Sequence, residues 1–277
     1  MSQNFDVFFV SNGTCITSET MGLSLLAQFP DHDFNTRIFP FVDTLGKTET
    51  VARHIRESAE FNNKHPIVIC TMQDPDLIAM IRAAPCVCID PFGDYVPRLE
   101  NALSTTHHTP GQTHRLADRR AYDSRISAIE FTLAHDDGGT TREYDQAEII
   151  LIGVSRTGKT PSSLYLAVQF GIKAANYPIT EEDLDSDQLP RPLRNHQKRL
   201  YGLTTDPNRL ANLRQTRRPN SRYSSVEQCR YELRAVENLY RQHSISFLNT
   251  STMSVEEISA YIIRDTGLHR VTQKKTG

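Results

Sequence analysis

The chain has 277 residues, enough for one large domain or two ordinary ones, and long enough to bury a core without disulfides or metals. Hydrophobic residues make up 38% and charged residues 23%, the mixture of a soluble globular protein. A formal net charge of −2 excludes a molecule that acts as a whole as an electrostatic partner of nucleic acid or of an acidic membrane.

The opening MSQNFDVFFVSNGT has no basic segment ahead of a long apolar stretch, and no apolar run reaches membrane-spanning length, so the expected address is the cytoplasm, or an organelle lumen if a transit peptide has been removed. The five cysteines are odd in number, include no CxxC pair and fall partly in apolar runs (PIVIC, CVCID). Free thiols in a reducing compartment explain this better than a disulfide framework or a zinc site.

Asp6–Val10 (DVFFV) reads as a strand followed by the loop SNGT, then a helix from Ser18 to Phe29 with Ser18 as candidate cap. Arg37–Phe41 is a second strand. Val51, Ile55 and Ala59 recur every four residues and mark an amphipathic helix. Ile67–Cys70 and Val87–Ile89 are short buried strands flanking a helix from about Asp74 to Ala83. This β-α-β-α order implies a mainly parallel sheet covered by helices. Residues 104–123, polar and rich in Thr, His and Arg, read as a long loop or crossover, and Ser127–Leu133 as a strand.

HDDGG follows at His135–Gly139. An Asp-Gly pair between β-like runs is first a tight-turn signal. The other reading is a carboxylate placed beside a ligand, because the next strand, Ala147–Ile152 (AEIILI), leads straight into a glycine-rich loop. The expectation is an α/β protein in two parts: an N-terminal, mainly parallel αβ domain over 1–143, and a P-loop-containing, kinase-like domain over 144–277.

GVSRTGKT, Gly153 to Thr160, fits GxxxxGK(S/T) at every position. Gly153 and Gly158 permit backbone conformations that side chains block, so that the N–H groups of Val154, Ser155, Arg156 and Thr157 can surround a phosphate. Lys159 supplies a cation for the transferred phosphoryl group, Thr160 a hydroxyl for Mg²⁺, and the following helix its positive dipole end. With glycine at about 7% of residues, chance gives the pattern in roughly one chain of this length per hundred. The strand before it and the helix Ser162–Phe170 after it, ended by Gly171, supply the required setting. Arg156 could meet a second phosphate, because guanidinium binds phosphate bidentately. No strand ending in Asp downstream offers a second magnesium anchor, and no NKxD-like guanine reader occurs. A motor or GTPase switch is thereby disfavoured.

Between Arg191 and Arg222 nine Lys or Arg residues stand against one acid, Asp206. A solvated helical face and a docking surface for an acidic or phosphorylated protein both explain this. Aromatic interleaving is too sparse (Tyr201, Tyr223) for nucleic acid.

The stretch AEIILIGVSRTGKTPSSLYLAVQFGIKAANYPI, with VSNGT, PFVDT, HDDG, YGLTTDPNRL and SVEEI, resembles the regulatory proteins of phosphoenolpyruvate synthase and of pyruvate, phosphate dikinase. AVQFGIKAANYP and SRYSSVEQCR bring it nearer the synthase regulators. The resemblance implies a bifunctional serine/threonine kinase and pyrophosphorylase. It would phosphorylate a threonine of phosphoenolpyruvate synthase with ADP as donor, and remove that phosphate by attack of inorganic phosphate, releasing pyrophosphate. It further implies nucleotide binding at Gly153–Thr160, family motifs at Ser11–Thr14 and Asp136–Gly138, and a homodimer. Where the family loop reads SDGTG, this chain has SNGTC, with Asn12 and Cys15. The reading assigns catalysis to Lys159, Arg156 and, as base, Asp137. Rival readings are the same activities on the dikinase, an ATP-dependent P-loop kinase of a small molecule, and a nucleotide sensor without catalysis.

Overall fold

The computed structural model describes residues 4–107, 113–184 and 188–268, with backbone alone over 113–121. The chain gathers into two compact units, Met1–Gly111 and Gln112–Gly277.

In the first unit, β1 (Asn4–Ser11), β2 (Asp33–Phe39), β3 (Ile67–Thr71) and β4 (Val87–Ile89) alternate with α1 (Ile16–Leu26), α2 (Leu45–Asn62), α3 (Pro75–Arg82) and α4 (Pro91–Leu103). The strands form one sheet in the order β2-β1-β3-β4, parallel throughout. Successive strand side chains point to opposite faces. Phe8, Val10, Val68 and Cys70 accordingly share a core with Val51 and Ile55 of α2 and Leu77 and Ile81 of α3. Val7, Phe9 and Ile69 cluster with Leu26 of α1 on the other side. Burial on both faces is what a parallel sheet requires, and it explains the unbroken apolar run VFFV, Val7 to Val10.

Two expectations here are corrected. Helix α1 begins at Ile16, not Ser18. Its cap is Cys15, in left-handed conformation at φ 66°, while Ser18 is buried in the first turn and its hydroxyl donates back to the Cys15 carbonyl at 2.9 Å. The stretch 104–123 is not one loop: α4 extends to Leu103 and another helix starts at Thr113. Residues 108–112 of that stretch lie outside the described residues.

The second unit contains α5 (Thr113–Ala134), a 3₁₀ turn at Asp136–Gly138, β5 (Ile149–Gly153), α6 (Lys159–Tyr165), β6 (Ala174–Pro178) and α7 (Glu181–Leu184). A 3₁₀ segment Arg191–Arg199, β7 (Leu200–Thr204), α8 (Pro207–Arg217), α9 (Val226–Gln242), β8 (Phe247–Asn249) and α10 (Val255–Thr266) complete it. Its sheet is also parallel, in the order β6-β5-β7-β8. Ile150 and Ile152 pack toward α8 and α9, with Leu210, Val236 and Tyr240. Ile149 and Leu151 pack toward Leu166, Ile258 and Ile262 on the opposite face.

The expected strand Ser127–Leu133 is the end of helix α5. Its buried residues Ala128, Phe131, Thr132 and then His135 recur at helical spacing and seat the helix in the second unit, where Ala174 N–H donates to Thr132 Oγ1 at 3.3 Å. Residues 113–143, placed ahead of the domain boundary by sequence patterning, therefore fall in the same compact unit as the glycine-rich loop. That loop's helix starts at Lys159 and runs on through a π turn, Leu166–Phe170, to Gly171 at φ 69°. The ending matches expectation.

Candidate functional site

The site lies at the carboxyl ends of β5 and β6, where open parallel sheets hold their ligands. β5 ends at Gly153, whose φ of 156° extends the chain past β7. A Cβ here would lie 2.6 Å from the Leu203 carbonyl oxygen, so only glycine lets the strand pass so close to its neighbour. Arg156 adopts φ 76° and Gly158 φ 93°, bending the segment into a loop before α6 begins. A left-handed arginine is an uncommon conformation that recurs at functional sites.

Inside the loop, Thr157 Oγ1 donates to the Val154 carbonyl at 3.0 Å, and Lys159 Nζ donates to the same oxygen, also at 3.0 Å. Among the described residues, no protein acceptor takes the N–H groups of Ser155, Arg156 or Gly158, while that of Thr157 turns back toward the Val154 carbonyl. Buried or semi-buried amides without partners are costly, and a ring of them is a place for an anion. Lys159 is 4% exposed. Burial pulls its ammonium down to about 8, against the opposing pull of Asp137 and then Asp136.

Those two carboxylates belong to the turn after α5. Asp137 (φ 48°) and Gly138 (φ 69°) both adopt left-handed backbone. The turn is fixed by Asn176, fully buried in β6: its Oδ1 accepts the Asp137 N–H at 2.9 Å, and its Nδ2 donates to Asp136 Oδ1. The Asp136 carboxylate in turn accepts the Thr160 hydroxyl at 2.8 Å. Of the two readings of HDDGG, the structure realises the carboxylate beside the loop; the segment before it is helical, which removes the hairpin. The upstream Asp136 stands beside Thr160 where a downstream strand offered no Asp. Asp206 is instead spent on capping α8, accepting from the N–H groups of Asn208 and Arg209.

The Thr160 hydroxyl and the Asp136 carboxylate, adjacent oxygen donors, suit magnesium, which takes one or two protein oxygens and completes its shell with substrate phosphates and water. Among the described residues, no group of three or more His, Cys, Asp or Glu gathers for a metal.

Behind the loop stands a support that sequence reasoning did not single out. Arg214 of α8 is 1% exposed and donates to the Ser155 carbonyl (3.3 Å), the Tyr223 carbonyl (3.1 Å) and Glu232 (2.6 Å). Its guanidinium lies 4.2 Å from the Tyr223 ring centroid, and the Tyr223 hydroxyl meets Ser155 Oγ at 2.9 Å. From the other side, Thr250 Oγ1 donates to the Thr157 carbonyl at 3.1 Å. Tyr240 completes the frame, its hydroxyl donating to the Ile152 and Leu203 carbonyls.

The basic segment is not a single helical face. It runs through the 3₁₀ segment Arg191–Arg199, β7 and α8. Arg194 and Arg199 are tied to backbone carbonyls, Arg214 is buried, and Arg222 pairs with Glu181 at 2.6 Å. Arg217 and Arg218 remain exposed at the end of α8.

The other loop with a family motif, Ser11–Thr14, is closed within the first unit. Ser11 Oγ accepts the Gly13 N–H and donates to the Thr71 carbonyl, and the thiol of Cys15 is buried against Phe39 O. Asn12 and Thr14 are exposed.

The sequence profile of the kinase/pyrophosphorylase family matches residues 7–263. A protein of Acinetobacter baylyi, provisionally named a phosphoenolpyruvate synthase regulatory protein, is 48% identical over 265 residues, covering 95% of each chain. Proteins with the same provisional name from Aromatoleum aromaticum and Chromohalobacter salexigens are 48% and 47% identical over 95% of this chain and 96% of theirs. The match spans both sheets, the turn at Asp136 and the loop at Gly153–Thr160, and the chain belongs to the kinase/pyrophosphorylase family.

Proposed function

We propose that this protein regulates phosphoenolpyruvate synthase by reversible phosphorylation of a threonine, with ADP as donor and inorganic phosphate as the agent of removal. The observation that carries the reading is the unspent set of amides around a buried Lys159, with Asp136, Asp137 and Thr160 at its rim. Family membership and the names of the relatives supply the target.

In the forward direction the loop amides and Lys159 hold the ADP phosphates. The threonine oxygen of the target attacks the β-phosphorus, the bond from that phosphorus to the bridging oxygen breaks, and AMP leaves. The threonine proton passes to Asp137, whose carboxylate is exposed in the turn. Arg156, exposed in the loop, stabilises charge on the moving group. Thr160 and Asp136 would hold magnesium, which supplies charge neutralisation on the phosphates when bound. In reverse, an oxygen of inorganic phosphate attacks the phosphothreonine phosphorus, the bond to the threonine oxygen breaks, pyrophosphate leaves, and Asp137 returns a proton to that oxygen.

Phosphorylated synthase incubated with the enzyme and phosphate in ¹⁸O-water tests the reverse step. Pyrophosphate free of solvent oxygen is the expected product. Orthophosphate carrying solvent oxygen, with no pyrophosphate, would show hydrolysis and overturn the phosphate-dependent half of the reading.

A further inference from the structure

A cavity of about 500 Å³ opens in the first unit between α3 and α4, at the carboxyl ends of β3 and β4. This is the crevice in which open parallel sheets bind ligands, and the volume is that of a small-molecule site. None of the phosphotransfer chemistry uses it. Its walls are largely apolar, built from Met72, Ile78, Phe92, Val96 and Pro97.

One charged pair is set into that wall. Asp90 is 2% exposed; one carboxylate oxygen caps α4 by accepting the Gly93 N–H at 3.0 Å, and the other accepts from Arg82 Nη2 at 2.9 Å. The arginine side chain stays 49% exposed, so the buried acid fixes the guanidinium without covering it. Gly93 makes room for this contact: a Cβ there would stand 2.6 Å from Asp90 Oδ2 and 2.9 Å from Arg82 Nη2. A guanidinium held by Asp90, with the Cys88 thiol also in reach, and still half-exposed keeps an outer edge suited to a planar carboxylate.

We propose that this cavity binds a small carboxylate with an apolar body, the body against Ile78, Phe92 and Val96 and the carboxylate on Arg82. The site is independent of the phosphotransfer reading. Titration calorimetry of the full chain with 2-naphthoate and with its neutral amide tests it. The expected result is saturable, equimolar binding of naphthoate, at least tenfold weaker binding of the amide, and loss of both in Val96→Phe, which fills the cavity. The double variant Arg82→Met/Asp90→Asn, which strands no buried carboxylate, should bind acid and amide alike, with circular dichroism confirming both variants folded. Equal affinity of the unaltered protein for acid and amide would overturn the assignment of an anion. Absence of saturable binding, or binding that survives Val96→Phe, would overturn the site itself.

Discussion

Lys159 is the residue on which the site turns. Burying an ammonium beside a single carbonyl acceptor disfavours its charged form, hence the depression to about 8. A base whose folded value lies below its unfolded one costs stability wherever both states are charged. Between pH 8 and the unfolded value of 10.5 the unfolded chain binds more protons, so stability should rise with pH through that window. Lys159→Met should therefore abolish ADP binding in calorimetry while raising the ligand-free stability by about 1–3 kcal/mol in denaturant unfolding. ADP affinity of the unaltered protein should weaken above pH 8, where the free lysine loses its proton, and Lys159→Arg should remove that dependence. The two aspartates separate by role. Asp137→Asn should lower the transfer rate about 10²–10⁴-fold, with ADP binding retained. Asp136→Asn should instead weaken the magnesium dependence of ADP binding.

Among the elements, the loop is held by its neighbours as much as by its own glycines. Arg214 reaches Ser155 from α8, and its charge is balanced by Glu232 of α9. Removing one member of a buried ion pair costs about 3–5 kcal/mol, because the other charge is left uncompensated. Arg214→Met should lower thermal stability by that order, and adding Glu232→Gln should restore part of it. Gly153→Ala should destabilise by about 2 kcal/mol or more, since the methyl group meets the rigid Leu203 carbonyl.

The same elements show what was legible beforehand. The central strands β1, β3 and β5 were readable because parallel strands buried on two faces are continuous apolar runs, and GVSRTGKT could be placed between β5 and a helix for that reason. Strands β6, β7 and β8 were not singled out, and the exposed edge strand β2 starts at Asp33 rather than Arg37. Helix α5 was not readable, because its second half contains SAIEFTL, with β-branched and aromatic residues that also suit a strand, and packing decided for helix. Asn176 was within reach: an asparagine inside the strand AANYP is unfavourable there unless its side chain has work, and that work is fixing the Asp136 turn. Arg214 was hidden among eight other basic residues, since burial of one and exposure of the next is a property of the α8–α9 packing and not of the charge count.

For the whole molecule, the expectation is action on another protein. Arg217 and Arg218, exposed where α8 ends near the Tyr223 segment, offer positive charge beside the loop's support. Arg217→Glu with Arg218→Glu should raise the KM for the target about tenfold or more and leave ADP binding unchanged, the pattern of a lost docking contact. No described helix is long and apolar enough to cross a membrane. The central claim is transfer from ADP to a protein hydroxyl at the Gly153–Thr160 loop. It is tested most directly by incubating the protein with phosphoenolpyruvate synthase and β-labelled ADP and mapping the label. The account predicts label on one target threonine, AMP formed in equal amount, and no label with Lys159→Met. Absence of label from ADP, with label from ATP on the synthase or on a metabolite instead, would contradict it.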